Sequence, residues 1–326
     1  MRSLIVGTGS YAPEKVVTNA DLEKVVDTTD SWIVERTGIR ERHVAAPEQA
    51  TSDLAMEAAK RALEMAQVDP KDLDLIVMGT ITPDYPWPST AAILQGRLGN
   101  KKAFAFDVSA ACAGSLYALS IADRYVATGG VKRALVIGAE LLTRIVDWKD
   151  RNTCVLFGDG AGAAVLAPTD DDRRGIQSIQ LHADGSAWHM LHQGGPGSRH
   201  PLTADTYAQG KHHLFMNGRE VYKFAVRALE EACRETLAAS KLSPSDVTWV
   251  CAHQANKRIL DSTLERLGIP ESKCWMNLEK YGNTSSASLP MTLDEANRAG
   301  WLKPGDTILT TAIGAGMAWG AGLIRW

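Results

Sequence analysis

The sequence predicts a layered α/β fold made of two copies of one unit. Three observations carry this. VDPKDLDLIVMG from Val68 and LSPSDVTWVCAH from Leu242 align with Pro70 against Pro244 and Asp72 against Asp246, both at an offset of 174. Each segment follows an Ala/Leu/Glu-rich helical stretch and ends in a short apolar strand, LDLIVMG or VTWVCAH. The same offset pairs the strand VKRALVIGAE with GDTILTTAIG, and the helix start at Cys112 with that at Ser286. Gly160-Ala-Gly then pairs with Gly320-Ala-Gly at an offset of 160, so the first half carries about 14 extra residues near TRIVDWKDRNTC. Helices alternating with short strands imply an α/β arrangement. The halves meet in the charged turn segment PTDDDRRG, which divides the chain into residues 1–170 and 171–326. Two similar halves related by a pseudo-twofold axis would leave a cleft between them.

Composition narrows the function classes. Of 326 residues, 45% are hydrophobic and 22% charged, the balance of a globular protein with a sizeable core. The net charge of −3 argues against a nucleic-acid footprint over the whole surface. The apolar run at the N-terminus is too short for a signal peptide, and no stretch is long enough to span a membrane, so a cytoplasmic location is expected. The five cysteines, Cys112, Cys154, Cys233, Cys251 and Cys274, are scattered and never form CxxC. That argues against a disulfide scaffold and a cysteine zinc site. His189, His192, His200, His212 and His213 cluster in a Gly/Ser/Pro-rich stretch that reads as a solvated loop, and no metal is expected.

Taken in order, the motifs differ in weight. GTGSYA at Gly7 fits G-x-G-x-x-A but is followed by Pro13 rather than a helix, so it reads as a turn. AFAFDV reads as a buried strand. Leu116, Leu119, Ala122 and Val126 then recur at helical spacing, and Gly129-Gly130 closes that helix. Cys112 falls at the junction. A thiol there sees the positive end of the helix dipole, which favours thiolate, and its small neighbours leave room for a substrate. FGDGAGAAVL lacks the Lys-Ser/Thr of a phosphate loop and reads as a strand under close packing. His253 closes the strand VTWVCAH, and Asn283 precedes the matching helix of the second half. Cysteine, histidine and asparagine at such strand ends can face one cleft.

At these residues the chain resembles the thiolase superfamily, and within it the 3-oxoacyl-[acyl-carrier-protein] synthase III family. The likeness runs through GTGSYAPEKVVTN, SWIVERTGIRERH, DVSAACAGSLYALS, HQAN, YGNTSSAS and GAGMAWGAGLIRW. It implies a thiolase-like αβαβα arrangement, an acyl-CoA primer and malonyl-acyl carrier protein as substrates, a homodimer, and no cofactor. Cys112 would carry the acyl group, with His253 and Asn283 as donors to the malonyl thioester. The N–H groups of Cys112 and Ala315 would form the oxyanion hole. Trp32 and Arg151 would sandwich the adenine of CoA. Arg36 and Thr37 would contact phosphate and entrance, and Asn256 the pantetheine arm. Lys223, Lys257, Arg258 and Arg266 would form a basic rim for the acidic carrier.

The chain departs from the pattern in places. Trp87 stands where the family often has the Phe that floors the partner's acyl pocket, Asn152 where Gly is frequent, and Tyr222 where Phe is. These bear on primer length. The alternatives are a related acyltransferase or condensing enzyme of secondary metabolism, and a non-catalytic partner subunit, against which retention of all three site residues argues.

Overall fold

The computed structural model describes residues 1–326. The strands of the first sheet are Arg2–Tyr11 (β1), Leu75–Gly79 (β2), Phe104–Val108 (β3), Ala134–Leu141 (β4) and Asp159–Thr169 (β5), ordered β1-β5-β4-β2-β3. The strands of the second are Gly175–Ala183 (β6), Trp249–Ala252 (β7), Thr307–Gly314 (β8) and Ala318–Arg325 (β9), ordered β6-β9-β8-β7. The second order repeats the first without its last strand. In place of that strand stands one isolated parallel bridge, Val250 with Cys274. In each sheet the pairs next to the strand end that carries the site are parallel, β2 with β4 and β7 with β8.

Five layers result. Helix Thr51–Ala66 (α1) covers the outer face of the first sheet. Gly114–Ala127 (α2) and Ser288–Arg298 (α5) lie between the sheets, and Gly218–Ala239 (α3) covers the second sheet with Lys257–Leu267 (α4) against it. This is the αβαβα arrangement of the thiolase-like fold. Leu116, Leu119, Ala122 and Val126 of α2 are all buried and join Val77, Leu289, Ile308 and Ile324 in one core that crosses both sheets. Both central helices start from a left-handed residue in a tight turn, Ala111 at φ 46° and Ser285 at φ 51°. These two residues are themselves 174 apart.

Two expectations fail here. The glycines of GTGSYA do not make a turn; they lie inside the ten-residue strand β1. A Cβ on Gly9 would stand 2.3 Å from the Ala58 carbonyl oxygen, so the glycines let α1 lie directly on the strand. AFAFDV is not a buried strand. It forms the open edge β3, with Phe104 exposed and residues 105–108 half-buried.

Gly138 on β4 faces the turn before α5, where a Cβ would stand 2.0 Å from the Ser286 carbonyl oxygen. Gly138→Ala should therefore lower stability by about 1–3 kcal/mol. Gly96, inside helix Thr90–Arg97 with nothing near its missing Cβ, should tolerate alanine or gain from it. Urea unfolding midpoints of the two variants check this.

Candidate active site

Cys112 sits in the single turn Ala111–Ala113 that joins β3 to α2. The residue is buried, yet it lines two cavities that meet at its side chain. The mouth-side cavity, about 640 Å³, also contains His253, Asn283 and Arg258. The inner cavity, about 340 Å³, is walled by Ile81, Leu142, Ile145, Phe157 and Leu214. A third hollow of about 480 Å³ at the surface, with Trp32 and Thr37, shares Arg36, Arg219 and Asn256 with the first. A path thus runs from Trp32 past Cys112 into a mostly apolar chamber that opens at the surface beside the exposed Trp188.

His253 follows the last residue of β7, where its backbone N–H donates 2.8 Å to the Thr311 carbonyl. Its Nδ1 is hydrogen-bonded to the Ser288 hydroxyl. Gln254 locks this corner: its Nε2 donates to the Ala252 and Trp275 carbonyls, and its Oε1 accepts from Asn277 and Leu278. Burial holds the His253 imidazole down at about 3, so it is neutral at physiological pH.

Asn283 is fixed by three bonds. Its backbone N–H donates to Leu156 and its carbonyl accepts from Gly158. Its Oδ1 accepts from the Ser285 N–H at 2.8 Å, which leaves the amide NH₂ as the free end in the mouth-side cavity. Histidine and asparagine therefore present neutral hydrogen-bonding groups on one side of the thiol.

Gly314 brings the end of β8 against the Cys112 turn. A Cβ there would lie 2.5 Å from the Cys112 backbone nitrogen, so only glycine permits the approach. Ala315 follows it and lines the inner cavity beside Cys112.

The thiol itself departs from the expectation of a favoured thiolate. Burial, reinforced by the nearby Glu140 carboxylate, pushes Cys112 up to about 12, against the pull of the Ser285 hydroxyl and the helix-start amide. Desolvation outweighs the helix dipole, and the resting form is the thiol.

The other expected residues divide. Trp32 has both Arg36 and Arg151 over its ring, at 5.4 and 5.2 Å. Arg151 rests directly on the indole, so an adenine between them requires one of the two to move. The Thr37 hydroxyl is already occupied, donating to the Ile33 carbonyl and accepting from Ile39 N–H. Asn256 caps α4 and ties the Arg36 carbonyl to the Arg258 N–H. The basic rim is mostly neutralised: Lys223 pairs with Glu220, Lys257 with Asp261 and Glu271, and Arg266 with Glu230. Arg258 has no carboxylate partner and lies 5.9 Å from the Tyr222 ring. Trp87 lines neither cavity of its own chain; it is 83% exposed on the loop before helix Thr90–Arg97.

Sequence reading missed Arg219 at the mouth, His192 and Trp188 at the rim of the inner cavity, and Glu140 beneath the site. The match of Ser285 to Ala111 in the repeat is the signal that could have drawn attention to the Ser285 turn.

Two family models match, 3-oxoacyl-[acyl-carrier-protein] synthase III over residues 106–185 and its C-terminal part over residues 237–326. A β-ketoacyl-[acyl-carrier-protein] synthase III of Caldanaerobacter subterraneus is 52% identical over 99% of this chain and 97% of its own. The chain belongs to the 3-oxoacyl-[acyl-carrier-protein] synthase III family. It is accordingly a condensing acyltransferase. Among solved structures, the synthase III of Aquifex aeolicus superposes with a TM-score of 0.92 at 48% identity, over 99% of this chain and 100% of that one. The priming β-ketosynthase of the R1128 polyketide pathway superposes at 0.91 with 38% identity, over 99% and 95%. No helix of the chain is long and apolar enough to cross a membrane.

The two buried titrating groups of the site act on stability with opposite sign. His253 is depressed from 6.5 to about 3, so the unfolded chain binds the extra proton and stability falls as pH drops below 6.5. Glu140 is raised from 4.5 to about 7 by burial, so the folded chain binds the extra proton and stability falls as pH rises through that window. His253→Gln removes only the first effect. From pH 6.5 to 4.5 the variant should gain on the wild type by up to about 1.4 kcal/mol per pH unit, read from urea midpoints.

Proposed function

We propose that this chain loads an acyl group from acyl-CoA onto Cys112 and condenses it with malonyl-acyl carrier protein, releasing CO₂. The observation that carries this reading is the division of space around the thiol. The inner apolar chamber suits the acyl chain of a thioester on Cys112. His253 and Asn283 stand only on the other side, in the cavity through which a second pantetheine arm enters.

The steps follow from these positions. The acyl carbonyl oxygen on Cys112 is held by the backbone N–H groups of Cys112 and Ala315. The malonyl thioester oxygen lies against the Asn283 amide and His253. Loss of CO₂ leaves an enolate, and neutral donors stabilise that charge without creating an ion pair. The enolate carbon attacks the acyl-Cys112 carbonyl, and the cysteine leaves as thiolate. The residues present supply these steps without a metal or redox cofactor. CoA enters past Trp32, Arg36, Thr37, Arg151 and Asn256. A second copy paired along the open edge of β3 would cover Phe104 and Tyr125 and could receive Trp87 at its inner chamber, making the working unit a homodimer. The likeness to a polyketide priming enzyme supports a second reading, the same condensation feeding secondary metabolism.

The reading is tested by intact mass and CO₂ release. A panel of acyl-CoAs should add one acyl group to wild type and none to Cys112→Ala, and malonyl-carrier protein should discharge the adduct with CO₂. An adduct that survives the malonyl chase would replace condensation by simple acyl transfer. His253→Ala and Asn283→Ala should still load the acyl group but lose roughly 100- to 1,000-fold in decarboxylation.

Carrier recognition distinguishes the cations at the mouth. Arg258→Ala should raise KM for the carrier roughly tenfold, because an unpaired guanidinium is free to meet its acidic surface. Lys257→Ala should change it less than about twofold, because that ammonium is already paired. Steady-state kinetics with varied carrier checks both.

A further inference from the structure

Condensation as proposed above leaves one proton unassigned. Cys112 rests as a thiol and must lose its proton as it attacks acyl-CoA, and His253, held strongly on its neutral side, is a poor acceptor. The group beneath the thiol is Glu140, near the end of β4, wholly buried and used in none of the steps above.

Glu140 is surrounded by donors on every side. Its carboxylate accepts from the Ile81 and Thr82 N–H groups at 3.2 and 3.1 Å and from the Thr82 hydroxyl at 2.6 Å. It also accepts from the Ser285 and Ser286 hydroxyls, each at 3.1 Å, with the Thr80 hydroxyl at 3.3 Å. No lysine, arginine or histidine pairs with it, and Cys112 is the titratable group that feels its charge. The donors favour the anion and the burial favours the acid, so the group is poised near neutrality, at about 7.

Ser285 connects the two. It lines the inner cavity together with Cys112, and its hydroxyl bears on the protonation of that thiol. Its hydroxyl hydrogen points to Glu140, which leaves its lone pairs for the Cys112 S–H. The direction is that of a proton wire from sulfur to carboxylate. The left-handed turn at Ser285 holds that hydroxyl in place.

We propose that Glu140, acting through the Ser285 hydroxyl, takes up and stores the Cys112 proton during acyl loading. As the thiolate forms the C–S bond, the S–H proton passes to Ser285 Oγ and the Ser285 proton passes to Glu140. CoA leaves as thiolate and takes a proton from solvent. When the enolate later displaces Cys112, the stored proton returns through Ser285 and the thiol is restored. One solvent proton is consumed per turnover, as the overall condensation requires. Glu140 touches no substrate and is a positioning and proton-holding residue.

The test is the pH dependence of single-turnover acylation of the full-length protein by acetyl-CoA and longer acyl-CoAs. It uses wild type, Ser285→Ala and Ser285→Gly, the last suited to the left-handed backbone should alanine fail to fold. Malonyl-carrier decarboxylation without primer, which does not use the thiol, is measured beside it. Wild-type acylation should rise with pH to a plateau above about 7. The variants should acylate roughly 100-fold more slowly, lose the plateau and climb with pH throughout, with a much smaller loss of decarboxylation. Acylation at the wild-type rate with an unchanged profile would overturn the relay. So would an equal loss of both reactions with the plateau intact, which marks a structural role. The inference rests on the condensing reading. Wild type that never acylates would sink that reading and the relay with it, whereas acylating wild type with indifferent variants would sink the relay alone.

Discussion

The arrangement depends on backbone-to-backbone contact where the central helix starts enter the first sheet. Gly79 packs on Gly114, and Gly114 and Gly138 meet Ser286; a Cβ on Gly79 would stand 2.3 Å from the Gly114 carbonyl carbon, and one on Gly138 2.0 Å from the Ser286 carbonyl oxygen. Because the two central helices are forced this close, the turns that begin them are forced close as well. Those turns carry Cys112 at one end and follow Asn283 at the other. The site is the place where two equivalent turns of a duplicated unit are pressed together.

The duplication also explains the division of labour. Both halves present a left-handed turn at the start of a central helix, but they fill it differently. The first half uses Ala111 and follows it with Cys112. The second uses Ser285, whose hydroxyl reaches down to Glu140 and whose N–H orients the Asn283 amide. Small residues serve packing in one copy and chemistry in the other. His253 joins them because β7 ends one residue earlier, and the Gln254 clamp fixes the chain as it leaves the sheet.

Burial sets the electrostatics of this region more than any pair of charges. It keeps His253 neutral, lifts the Cys112 thiol well above its ordinary value and brings Glu140 close to neutrality. A dry site strengthens each hydrogen bond aimed at a developing oxyanion, and it also raises the energy of the thiolate that must form first. The hydroxyls packed around Glu140 reconcile these demands by holding a carboxylate inside the protein without a counter-charge.

The residues alone specified the α/β class, the duplication, the start of the helix after Cys112, the strand end that carries His253 and the place of Asn283 ahead of the second central helix, although a short helix, Leu278–Tyr281, and not a strand precedes it. These follow from periodicity and repetition, which are local or depend on one offset along the chain. It misread GTGSYA because glycines that admit a packed helix and glycines that make a turn look alike until the neighbour is known. It misread AFAFDV because an apolar run reports hydrophobicity and not which side of a sheet remains unpaired. The tertiary structure alone decided which cations are free, since Lys257 and Arg266 are neutralised partly by residues distant in the chain. It alone placed Glu140 beneath Cys112. That carboxylate lies in an apolar strand with no motif around it, and its meaning comes from Ser285, a contact across 145 residues of chain that only the close approach of the two halves creates.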